Sequence, residues 1–132
     1  MATTRETVER FYVEAVNGRR FELFDQLLTP DAVNHGPADA PAREALVGAD
    51  EIVRSAFSDA ELHVDDILVE GDKAAVRWTL TGTHDGDFHG TPPTGNAISV
   101  RATVVLKLRD GRIAELWPVL DFHALLTQLE AA

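Results

Sequence analysis

A carboxylate set among apolar residues is the strongest chemical signal in this chain of 132 residues. Asp121 lies in the run Glu115-Leu116-Trp117-Pro118-Val119-Leu120-Asp121-Phe122-His123. A carboxyl group facing an apolar cavity is costly to ionise, so its pKa rises towards neutrality and it can both take and return a proton. His35, after a turn and before Gly36-Pro37, is placed to polarise a carbonyl at the mouth of such a cavity. His84 and His89 flank a glycine-rich loop that could line the same space, whereas His63 alternates out of a strand into solvent. Trp117, four residues from Asp121, joins Trp78, Tyr12 and Phe11 as aromatics able to form a flat slot for a polycyclic ligand. Each has a plainer role open to it. Asp121 is a favoured N-cap for a helical turn starting at Phe122, the histidines are compatible with loop structure, and the aromatics with core.

The bulk properties narrow the chemistry. A formal net charge of −10 with scattered Lys and Arg disfavours nucleic acid and anionic membrane as partners. There is no cysteine, hence no disulfide, thiol nucleophile or zinc–thiolate site. No His-x-His or Glu-x-x-His pair suggests a metal, and no Gly-x-Ser-x-Gly suggests a serine nucleophile. The N-terminus has no apolar run of signal-peptide length, and no segment reaches the ~20 apolar residues of a membrane span. The expectation is one cytoplasmic domain over residues 1–132, without metal or cofactor.

The elements that must position these residues follow from periodicity. Thr3 and Glu6 have capping-box spacing, and Val8, Phe11, Tyr12, Ala15 and Val16 then form one helical stripe that closes at Asn17-Gly18. A second short helix is expected from Phe21 to Leu28, a loop over residues 31–47, and a third helix from Asp50 to Phe57. From Glu61 the period becomes two. Strands are expected at His63–Glu70, Lys73–His84, Ala97–Arg109 and Arg112–Asp121, with turns at Gly71-Asp72 and Asp110-Gly111, a loop over residues 85–96 and a final helical turn through Leu125, Leu126 and Leu129. Helices first and an antiparallel sheet after them define an α+β fold with helices on one face of the sheet.

A two-residue turn at Asp110-Gly111 sets Arg109 opposite Arg112. It then pairs Val104 with Trp117, Ala102 with Val119 and Val100 with Asp121. In that register Asp121 shares the helix-covered face with Val100, Ala102, Trp117 and Val119. Val105, Leu116 and Leu120 lie on the opposite face, too apolar to be left to water, which implies a homo-oligomer, dimer or tetramer.

Three stretches carry a family resemblance. Gly82-Thr83-His84-Asp85-Gly86-Asp87-Phe88-His89-Gly90-Thr91-Pro92-Pro93-Thr94-Gly95 resembles the loop signature of the SnoaL-like polyketide cyclases. Asp110-Gly111-Arg112-Ile113-Ala114-Glu115-Leu116-Trp117 with Asp121, Leu125-Leu126 and Gln128-Leu129 is similar to the family's C-terminal pattern. Leu27-Leu28-Thr29-Pro30-Asp31-Ala32-Val33-Asn34-His35 resembles its segment after the second helix. The resemblance implies an NTF2-like cone: a strongly curved antiparallel sheet with three N-terminal helices on its concave face around a deep pocket. It also implies cofactor-independent aldol closure of an aromatic polyketide ring, with Asp121 as general acid/base and His35 on the carbonyl under attack. Trp117, Trp78, Tyr12, His84, His89 and Phe11 would then contact a hydrophobic polycyclic substrate. Hydroxylation or epoxide hydrolysis in the same pocket, and a non-catalytic ligand-binding role, are the alternatives.

Overall fold

In the computed structural model, which describes residues 2–131, the chain begins as its first residues require. Thr3 Oγ1 accepts from the Glu6 N–H, and the Glu6 carboxylate accepts from the Thr3 N–H, both at 3.1 Å; this reciprocal pair opens α1 (Thr4–Arg10). The helix widens into a π-helical segment, Phe11–Asn17, that buries Phe11, Tyr12 and Ala15. At its end Asn17 Oδ1 accepts from the Leu62 N–H at 2.7 Å, tying the helix to the sheet.

The next stretch departs from expectation. A 3-10 turn over Phe21–Leu23 runs into a short α2 (Phe24–Leu27), and Leu28–His35, expected as helix end and loop, is strand β1. β1 forms a hairpin with β2 (Asp39–Pro41), and α3 (Ala42–Ala56) starts at Ala42 rather than Asp50. The cause is non-local. β1 pairs in parallel with the last strand, Leu28 with Ile113 and Asn34 with Leu116, and a tertiary partner of that kind overrides weak local preference.

The remaining elements fall where the period of two places them: β3 (Glu61–Glu70), β4 (Lys73–Thr83), β5 (Ala97–Arg109), β6 (Arg112–Leu120) and α4 (Phe122–Glu130). The six strands make one curved, unclosed sheet in the order β2-β1-β6-β5-β4-β3. The fold is α+β as expected, with one parallel pair in an otherwise antiparallel sheet. The loop between β4 and β5 packs against the end of α3 through Gly86, whose added Cβ would lie 1.9 Å from the Ser55 carbonyl oxygen.

One residue decides the faces of β6. Arg109 opposes Arg112 and Leu108 opposes Ile113, but Lys107 then opposes Glu115, so Ala114 is an extra residue and forms a β-bulge. Beyond it Leu106 pairs with Leu116, Val105 with Trp117, Val104 with Pro118 and Ala102 with Leu120. The expected pairs Val104–Trp117, Ala102–Val119 and Val100–Asp121 are therefore displaced by one, and each β6 side chain past the bulge changes face. Burial explains the preference. The bulge lets Ile113 and Ala114 both be buried and brings Leu116 into the main core, while Trp117 is 36% and Val119 70% exposed on the outer face. Acrylamide quenching of the two tryptophans checks this register. Trp117→Phe is expected to remove the readily quenched fluorescence and Trp78→Phe to leave it, whereas a β6 without the bulge would shield both.

Candidate active site

The bulge shapes a cavity between the inner sheet face and the helices. Trp78 and Leu80 from β4, Val104 from β5 and Leu116 and Pro118 from β6 form its sheet side. Asn34 joins them because the parallel β1–β6 pairing sets it beside Leu116 on the inner face. Tyr12, Val16 and Asn17 from the π-helical segment and Leu46, Ala49, Asp50, Val53 and Arg54 from α3 close the other side. The volume is about 150 Å³. An apolar space of that size takes a single aromatic ring.

Its polar groups are few and ordered. Asp50 accepts from Arg19 Nε at 3.0 Å and Arg54 Nε at 3.4 Å, with 11% of its side chain exposed. Arg54 spends its other donors on backbone, Nη1 on the Ala60 carbonyl at 2.7 Å and Nη2 on the Asn17 carbonyl at 3.3 Å. Burial pushes the Tyr12 phenol well above its ordinary pKa. The Trp78 indole N–H is buried and reaches no hydrogen-bond partner among the described residues. The cavity thus offers donors (Tyr12, Trp78, Asn17, Asn34) and one carboxylate, Asp50, flanked by two guanidinium groups.

Of the residues singled out from the sequence, Tyr12 and Trp78 line this cavity; the rest lie elsewhere. Phe11 is fully buried in the main core, its ring 4.8 Å edge-on from Tyr12, which it props in place. His84 is fully buried in a second core, 5.5 Å from the Phe57 ring. Its Nδ1 accepts from the Thr94 N–H at 3.2 Å, and its backbone pins the loop through Asn96 and Gly95. His89 is exposed on that loop against Phe88.

His35 and Trp117 stack at 4.9 Å on the outer face, because the bulge sends Trp117 and Glu115 outward. His35 Nδ1 meets Asp39 at 2.9 Å and Nε2 meets Glu115 at 3.1 Å, and these two hydrogen bonds, Asp39's first, raise its pKa. The two nitrogens face different carboxylates, so the three side chains cannot close on one ion. Among the described residues no group of three or more His, Asp or Glu has metal-site geometry.

Asp121 is exposed and caps α4, its carboxylate accepting from the Ala124 N–H at 3.0 Å. The expected inward orientation fails for the reason already given, the extra residue at Ala114. Asn34, Asp50 and Arg54 were not legible as site residues. Asn34 sat in an expected loop, but Asp50 carried a signal: with Leu46 and Val53 it falls on the apolar stripe of α3, a costly place for a charge.

A curved α+β sheet closed by N-terminal helices over an apolar cavity is the NTF2-like architecture. The family model for SnoaL-like polyketide cyclases matches residues 6–129, and the chain belongs to that family. It is 32% identical to the nogalonic acid methyl ester cyclase of Streptomyces nogalater over 127 residues, covering 89% of this chain and 90% of that one. Wild-type IdmH from Streptomyces antibioticus superposes with a TM-score of 0.87 at 32% identity, covering 98% of this chain and all of that one. AclR from Streptomyces galilaeus, a proposed hydroxylase, superposes with a TM-score of 0.83 at 28% identity over 96% of this chain and 80% of that one. No helix among the described residues is long and apolar enough to cross a membrane.

The Asp121 cap generates a paired prediction. Asp121→Ala is expected to cost about 1 kcal/mol of unfolding free energy, and Asp121→Asn, which preserves an N-cap oxygen, much less, with turnover near wild type in both. A general acid/base at this position would show loss of turnover in both variants, including Asp121→Asn, in which the cap is kept.

Proposed function

We propose that the protein closes a ring in a polyketide ester by an intramolecular aldol reaction, with Asp50 carrying the proton. The carrying observation is that, among the described residues, Asp50 is the one carboxylate lining the apolar cavity of a chain in this family. Names of relatives such as nogalonic acid methyl ester cyclase support a methyl-ester polyketide as the substrate class.

Asp50 takes the proton from a carbon already acidified by flanking carbonyls. The carbanion spreads onto the substrate's own oxygen as an enolate, and its carbon attacks a ketone carbon. One C–C bond forms, the ketone oxygen becomes an alkoxide, and the carboxylic acid of Asp50 returns its proton there. Product and substrate are isomers. Arg54 and Arg19 hold Asp50 at the cavity wall and favour negative charge on the enolate. The cavity admits the ring being closed and fixes donor and acceptor carbons in near-attack geometry, an effect worth ~7–11 kcal/mol.

Incubation with nogalonic acid methyl ester, followed by mass spectrometry, tests this reading. A cyclised product of unchanged mass is expected, and Asp50→Asn is expected to lower kcat by about 10²- to 10⁴-fold while the melting curve stays cooperative. Asp50→Glu, which keeps the carboxylate, should recover part of the loss. A product one oxygen heavier would replace the reading with hydroxylation, and full turnover by Asp50→Asn would remove Asp50 from the mechanism.

A further inference from the structure

His35, the expected donor to a carbonyl under attack, lies on the outer face, and the residue before it lines the cavity. The alternation of β1 makes the exchange. Asn34 pairs with Leu116 and, like it, lines the cavity, while the next side chain stacks outside on Trp117. Other polar side chains of the cavity are already engaged. Asp50 accepts from two guanidinium groups, Arg54 donates to Asp50 and to two backbone carbonyls, and Asn17 accepts from the Leu62 N–H. The half-buried Asn34 amide makes no side-chain hydrogen bond among the described residues. Such an amide has two N–H donors and an acceptor oxygen to offer a ligand. Gly36 leaves it room, since a Cβ added there would lie 3.3 Å from Asn34 Nδ2.

We infer that Asn34 is a further catalytic residue of the ring closure, its Nδ2–H donating to the oxygen of the ketone under attack. The inference rests on the ring-closure reading and adds to it the group that holds the electrophile. Donor and proton carrier come from facing walls, Asn34 from β1 and Asp50 from α3. As the new C–C bond forms, the π electrons of the ketone pass to its oxygen. The hydrogen bond from Nδ2 strengthens as that charge grows. An amide does not give up its proton, so Asp50, by then the carboxylic acid, delivers the proton to the alkoxide that Asn34 holds. A donor of this kind acts more on the transition state than on the bound substrate, so its loss falls on kcat rather than KM.

Asn34→Leu, of similar volume, is expected to lower kcat for nogalonic acid methyl ester by about 10²- to 10³-fold and to keep KM within about threefold of wild type. Asn34→Thr, which keeps a donor on a side chain suited to a strand, should recover part of the loss. Asn34→Asp keeps the shape and loses the amide donor, and its kcat should fall at least as far, which serves where Asn34→Leu does not fold. A second readout is independent of turnover. Acetophenone is one ring bearing one ketone, within what about 150 Å³ admits. Its bound C=O stretch is expected at lower wavenumber in wild type than in Asn34→Leu or Asn34→Asp, a shift that a merely structural role would not produce. The same band position in all three proteins, or a band moved by Tyr12→Phe and by neither Asn34 variant, would overturn the inference. An Asn34-dependent band in a protein that closes no ring would retire the cyclase reading alone. Ring closure with kcat unchanged in the Asn34 variants would retire this one alone.

Discussion

The chemistry available to this protein depends on the one residue that β6 gains at Ala114. A strand alternates its side chains with a period of two, so a single inserted residue moves everything after it to the opposite face. With the bulge, Leu116 and Pro118 become cavity wall, Glu115, Trp117 and Val119 face outward, and Asp121, just past the strand, is exposed. Pro118 lies beyond the last β1–β6 pair, Asn34 with Leu116, where that side of the strand has no ladder to donate to. The parallel pairing with β1 then carries the choice across the sheet, turning Asn34 in beside Leu116 and His35 out beside Trp117.

The cavity this produces has little polarity, and its location matters more than its amount. Sheet-borne groups contribute an indole N–H and an amide, and the carboxylate of Asp50 comes from α3 on the opposite wall. Arg54 links the parts, reaching Asp50, the Ala60 carbonyl and the Asn17 carbonyl, so it ties together the end of the π-helical segment, α3 and the residue before β3. Such preorganisation is what lets a small site stabilise developing charge in a space with little water.

The fold was largely legible because its signals are local. Thr3 and Glu6 announced α1, Asp110-Gly111 announced a hairpin, and alternation located β3 to β6 within two residues of their ends. β1 was not legible, since Pro30 and Asn34 read as loop and its partner lies some eighty residues further on. The site was legible only in part. Tyr12 and Trp78 stood on correctly placed elements, but the bulge that expels Asp121 has no sequence mark of its own beyond two successive apolar residues, Ile113-Ala114, before Glu115. The α-helical pattern of α3 contained Asp50, whose charge on an apolar stripe is a physical anomaly that periodicity alone does not flag.

The proposed mechanism places the reaction in the inner cavity rather than on the outer face of β6. A crystal structure of the protein with its cyclised product tests it most directly. The product's new hydroxyl is expected within hydrogen-bond distance of Asp50, and the ring itself against Leu116 and Pro118. A product seated beside Asp121, or stacked on Trp117 and His35, would contradict it.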